Sequence, residues 1–133
     1  MIHEFAHTVH LIALNSLDPG FEPRLKAAYK KARKEGKWDD PAYAGVNFSE
    51  YWAEGVQNWF NNNRENDNQH NEINTRAEML EYDAGLSELV REVYGEREWT
   101  YTKPWDRPES ERAHLRFLAR KDLPAFRWKT AAP

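Results

Sequence analysis

Apolar side chains recur at helical spacing along most of this chain, and the pattern predicts a mainly α-helical domain. The first helix is expected over Ile2 to Leu17. One apolar set there is Phe5, Val9 and Ile12, a second is Ile2, Ala6 and Ala13, and His3, His7, His10 and Leu14 form a further stripe. Asp18-Pro19-Gly20 reads as a turn. A basic amphipathic helix follows over Glu22 to Glu35, with Leu25, Ala28 and Tyr29 inward and Gly36 as its stop. Its lysines and arginines read as a solvated face. After a loop over Lys37 to Val46, a helix from Asn47 to Phe60 presents Trp52, Val56, Trp59 and Phe60 as a buried stripe.

The second half is less regular. Asn61 to Asn74 is a polar, asparagine-rich loop without the spacing of a Ca²⁺ loop, and His70 within it is a candidate cleft residue. Thr75 with Glu78 is a capping box opening a helix to about Tyr82, and Asp83 caps another that Gly95 ends. Trp99 to Tyr101 reads as a short extended piece. Ser110 to Arg120 is expected to be a final helix packed through Leu115 and Leu118. Residues 121–133 read as an irregular tail with Phe126 and Trp128 as anchors.

Composition narrows the classes. The 133 residues suit one domain over 1–133, and mean hydropathy is −0.97, so the six Trp, six Tyr and six Phe must supply much of the core. Net charge is −3 and the pI about 6.0, which gives no footprint for nucleic acid or an anionic membrane. With no cysteine there is neither a disulfide framework nor thiolate chemistry. No apolar run approaches the roughly 18 residues of a membrane span, and the first residues are not a signal peptide.

The first helix carries the chemistry. His3-Glu4-Phe5-Ala6-His7 is the H-E-x-x-H pattern of zinc peptidases. Residues four apart on a helix share a face with Cβ atoms about 5–6 Å apart, so both imidazoles can reach one tetrahedral Zn²⁺. Glu4 then addresses a water on the metal rather than the metal itself, as a general base does. Ala13 stands where a metzincin would place a third histidine, which excludes that subclass. His10, one turn past His7, fits either a second-shell hydrogen bond or a satisfied, partly buried histidine. The helix starts at Ile2 with no residue to cap its first turn, which predicts a fragment of a longer protein.

Two carboxylates lie one turn apart on the Asn47–Phe60 helix, Glu50 and Glu54. Either can complete a His₂Glu zinc site. Asn47 with Glu50 also matches a capping box, in which Glu50 would only satisfy backbone N–H groups.

His3-Glu4-Phe5-Ala6-His7, then Tyr43, then Glu50 and Ala53-Glu54, resembles in order and spacing the gluzincin catalytic domain of the lethal-factor-like zinc metallopeptidases. That family includes anthrax lethal factor and the Pro-Pro endopeptidases. The resemblance covers about the first 60 residues. It implies a zincin-like fold whose N-terminal sheet is missing here, and a secreted full-length parent. It also implies one Zn²⁺ held by His3, His7 and Glu50, with Glu4 as the base, Tyr43 stabilising the oxyanion and Glu54 in the second shell. The partner would be a peptide or protein substrate. The family aligns that substrate on a strand ahead of the zinc helix, so a chain whose zinc helix begins at Ile2 is expected to be a weak peptidase.

The expected function is therefore zinc-dependent peptide hydrolysis. The alternatives are a zinc-binding but inactive helical module and a helical bundle with no metal. Three ligands rather than the four of a structural zinc favour an open, catalytic position.

Overall fold

The computed structural model describes residues 1–39 and 41–113, and the expectations for Leu115, Leu118, Phe126 and Trp128 lie outside them. Among the described residues the chain is mainly α, with no strand. Met1–Tyr101 form one compact unit, and the described residues from Thr102 belong to a second. Among its described residues are a 3₁₀ turn, Pro104–Asp106, and the short helix Glu109–Arg112.

In the first unit, α1 (Ile2–Thr8) runs without a break into a π-helical stretch, Val9–Leu14, and a last turn, α2 (Asn15–Leu17). Helix α3 spans Phe21–Lys34 and ends at Gly36, whose φ of 73° is the left-handed conformation glycine adopts without a Cβ penalty. Helix α4 spans Phe48–Trp59, α5 Arg76–Tyr82 and α6 Ala84–Tyr94. The capping box at Thr75 forms with both of its hydrogen bonds. Gly95 closes α6 at φ 70°.

Helix α4 is the centre. Tyr51, Trp52, Ala53, Val56 and Trp59 are all buried, and α1, α3, α5 and α6 pack around it. A Cβ on Gly55 would meet the Leu86 side chain at 2.6 Å, so glycine lets α4 and α6 approach closely. Helix α1 lies on α4 through Ile2 and the fully buried Ala6, and the Trp52 indole N–H donates to the Ala6 carbonyl at 3.0 Å. This bond fixes the register of α1 against α4 within the turn that carries His3 and His7.

Only one of the two apolar sets of the first helix is buried this way. Phe5 and Ile12 of the other set are 62% and 67% exposed, because α4 covers the Ile2/Ala6 side. Trp99 to Tyr101 does not form an extended strand. It is irregular chain held by the Tyr101 N–H donating to the Phe60 carbonyl at 2.7 Å.

A buried polar hub ties α6 to the rest. Asp83, 4% exposed, caps α6 by accepting the Leu86 N–H at 3.1 Å, and its other oxygen accepts from the Trp38 indole at 2.9 Å and the Tyr51 hydroxyl at 2.7 Å. Burial and the neighbouring Asp83 carboxylate hold the Tyr51 phenol well above its ordinary pKa, so it remains a donor. Asp83→Ala removes the cap and leaves two buried donors unpaired. Denaturant titration is expected to show a loss of about 3–5 kcal/mol; a loss near 1 kcal/mol would mean the hub is no more than a helix cap.

Candidate metal centre

The α1–α4 contact brings the predicted ligands together. His3 Nε2 lies 3.0 Å from Glu50 Oε2 and 3.1 Å from His7 Nε2, and His7 Nε2 lies 3.4 Å from the same Glu50 oxygen. In a tetrahedral zinc site with bonds of about 2.0–2.1 Å, neighbouring donor atoms are about 3.3–3.4 Å apart. The three atoms thus stand close to the edge lengths of such a site. Among the described residues, these three side chains are the group able to hold a metal ion.

The outer faces of the imidazoles explain why the inner faces want a cation. His3 Nδ1 faces two acceptors, Gln57 Oε1 at 2.8 Å and Glu54 Oε1 at 3.1 Å. It must therefore carry a proton, which leaves the Nε2 of a neutral His3 as a lone pair. His7 Nδ1 is 3.2 Å from the Ser49 hydroxyl, which can accept in the same way. Two ring lone pairs and a carboxylate oxygen then converge with no proton between them. With Ser49 accepting, a metal ion or an added proton satisfies this arrangement; with Ser49 donating, His7 Nε2 carries a proton of its own. Glu54 first, with Gln57 and Glu50 in support and burial opposing, raises the His3 pKa from 6.5 to about 9.

This shift predicts opposite pH trends for the metal-free and loaded protein. A histidine whose folded pKa lies above its unfolded value stabilises the fold fully below pH 6.5, and that contribution disappears as pH rises to about 9. A zinc ion held by His3 Nε2 would compete with the same proton. Its apparent affinity should therefore rise by up to about tenfold per pH unit and level off once His3 deprotonates. Competition titrations with a chelator at several pH values check this; a flat profile would remove His3 from the ligand set.

Glu50 occupies the first turn of α4, where the sequence left a cap and a ligand as rival roles. Asn47 settles the cap alone: its Oδ1 accepts the N–H groups of Ser49 and Glu50 at 2.8 and 3.0 Å. The Glu50 carboxylate turns to the histidines instead. Glu54, one turn on and 3% exposed, faces the outer nitrogen of His3, the position of a second-shell carboxylate. No protein-family model, curated protein or solved structure matches this chain. The site is therefore read from its own geometry.

Tyr43 begins a 3₁₀ turn, Tyr43–Gly45, and its ring centre lies 6.1 Å from that of His3. Glu50 first, then burial, Glu54 and Glu4, push its pKa up, so the phenol stays protonated and able to donate. Glu4 is exposed on the turn between the two histidines.

His10 is not part of this centre. It is fully buried between Phe21, Phe48 and Trp52, with ring centres 6.0–6.4 Å away, and neither ring nitrogen has a hydrogen-bond partner. Its Nε2 is 3.6 Å from Glu22 Oε2, and burial lowers its pKa. Of the two roles the sequence leaves open, the structure places His10 as a buried histidine, though without hydrogen-bond partners, and the backbone is π-helical from Val9. With i→i+5 bonding each residue turns through a smaller angle, and His10 rotates off the His3/His7 stripe towards the core.

Three contributors lie outside the sequence-derived set, Ser49, Gln57 and Asn63, while His70, a candidate cleft residue by sequence, lines the cavity beside His3, Tyr43 and Glu54. Gln57 shares the face of Glu50 and Glu54 at i+7 and i+3, a helical signal that was available. Asn63 and His70 come from the polar loop, where no periodicity points at anything.

Proposed function

We propose that this protein is a zinc-dependent peptidase of the gluzincin type, with a zincin-like arrangement of α1 and α4 around one Zn²⁺. The observation that carries the reading is the convergence of His3 Nε2, His7 Nε2 and Glu50 Oε2 to within 3.0–3.4 Å. The donor set is two imidazoles and one carboxylate, the His₂Glu set that leaves a fourth position open. Bound there, Zn²⁺ supplies Lewis-acid polarisation of the scissile carbonyl and of the attacking water.

The remaining work falls to the chain. Glu4 projects from the turn between the histidines and takes the proton of the attacking water, then delivers it to the leaving amine. Tyr43 donates its hydroxyl proton in a hydrogen bond to the developing oxyanion. Glu54 and Gln57 keep the Nδ1 proton of His3 in place, and Ser49 does the same for His7, so that both imidazoles offer Nε2. The substrate class is a peptide or protein.

The test is cleavage of a quenched-fluorescence peptide library by the zinc-loaded protein, abolished by chelation and restored by Zn²⁺. Zinc bound without cleavage would support a non-catalytic zinc module instead. Tyr43→Phe is expected to lower kcat by about 10²–10³ with zinc content unchanged, since an oxyanion donor acts in the transition state. Unaltered kcat would return Tyr43 to a packing role.

A further inference from the structure

The asparagine-rich loop reaches the metal centre through one buried histidine. His70 is 7% exposed, with Nδ1 2.6 Å from Asp67 Oδ1 and Nε2 3.5 Å from Glu54 Oε2. The other oxygen of Glu54 is the one facing His3 Nδ1 at 3.1 Å. Asn63 Nδ2 donates to Glu54 Oε2 at 2.8 Å. The loop is also tied down by its backbone: the Gln69 N–H donates to Asp67 Oδ1 at 2.8 Å, and the Gln69 carbonyl accepts the Tyr43 N–H at 2.7 Å.

Packing does not hold Glu54 on this side. A cavity of about 360 Å³ adjoins it, lined among others by His3, Tyr43, Gln57, Arg64 and His70. A carboxylate bordering such a space has room to turn away from His3 unless polar partners fix it. Asn63 is the hydrogen-bonded partner; His70, whose Nδ1 faces Asp67, attracts the same oxygen through Nε2 in its doubly protonated form, and Asp67 orients it.

We propose that Asp67 and His70 are positioning residues of the metal centre, holding Glu54 so that it orients the ligand His3. The proposal rests on the zinc reading above. Neither residue touches the metal or a substrate; the loop acts as an outer clamp, through the continuous path Asp67–His70–Glu54–His3. Groups behind a metal ligand typically matter by about 10–100-fold in affinity. His70 stands one step further out, so His70→Ala should weaken metal binding by about tenfold, the lower edge of that range.

The experiment titrates Co²⁺ and Zn²⁺ into the full chain and into His70→Ala, His70→Gln and Asp67→Asn. Binding is read by the visible Co²⁺ spectrum and by chelator competition. Thermal unfolding of the metal-free forms controls for loss of fold. A glutamine amide can place a donor where His70 Nε2 stands, so His70→Gln should restore most of the affinity and the Co²⁺ band shape that His70→Ala loses. Asp67→Asn, which keeps the shape of the side chain, should fall between. If His70→Ala keeps wild-type affinity and spectrum, or if His70→Gln is as impaired as His70→Ala, the clamp is overturned while the zinc site stands. If the wild-type chain binds no better than a His3→Ala/His7→Ala double variant, the zinc reading itself fails, and the clamp with it.

Discussion

Glu4→Gln is expected to leave Zn²⁺ bound and to reduce peptide hydrolysis by about 10²–10⁴, the usual contribution of a positioned acid–base group. The carboxylate is not among the atoms that converge between α1 and α4, so its loss leaves the donor set intact. An amide of nearly the same shape cannot accept the proton of the attacking water. Its exposed position means that no core packing is disturbed, so the change tests chemistry and not folding. Parallel measurements of zinc content and kcat/KM decide it. A variant that loses zinc would make Glu4 a ligand or a structural group. A variant that keeps both zinc and activity would place the base elsewhere.

Glu50→Ala is expected to lower zinc affinity by several orders of magnitude, whereas Glu54→Ala should lower it by about 10–100-fold, the range for a group behind the ligands. The ordering follows from geometry. One Glu50 oxygen stands 3.0 and 3.4 Å from the two inner nitrogens, while Glu54 reaches only the outer nitrogen of His3. Removing Glu50 would take from the ion the one anionic donor among its three protein ligands. Removing Glu54 leaves His3 with Gln57 as its acceptor. Chelator competition on both variants, at a pH where His3 carries no excess proton, separates the two roles. The reverse order would move the carboxylate ligand one turn along α4.

The legible part of this protein is what helical spacing can encode. His3 and His7 four apart, Glu50 and Glu54 four apart, and the Trp52/Val56/Trp59/Phe60 stripe each place side chains on one face, and the stripe is buried at Trp52, Val56 and Trp59 and half-buried at Phe60. Helix ends were equally open to reading, because Asn47, Thr75, Asp83 and Gly95 act through local backbone chemistry. What escaped depends on partners distant in the chain. Phe5 belongs to an apolar stripe, yet which stripe is buried depends on where α4 lies, and α4 covers Ala6. For His10 the sequence leaves a second-shell and a buried role open, and the π-helical stretch from Val9 accompanies the buried one. His70 reads as a cleft residue from the sequence, but only the folded chain reveals that it and Asn63 both reach Glu54 from an aperiodic loop.

The most direct test of the account is zinc stoichiometry after equilibrium dialysis, determined by elemental analysis on the wild-type chain and on His3→Ala/His7→Ala. The geometry predicts about one Zn²⁺ per wild-type chain, held through dialysis, and none in the double variant. A wild-type chain that retains no more zinc than the double variant would contradict the metal centre, and with it the peptidase reading.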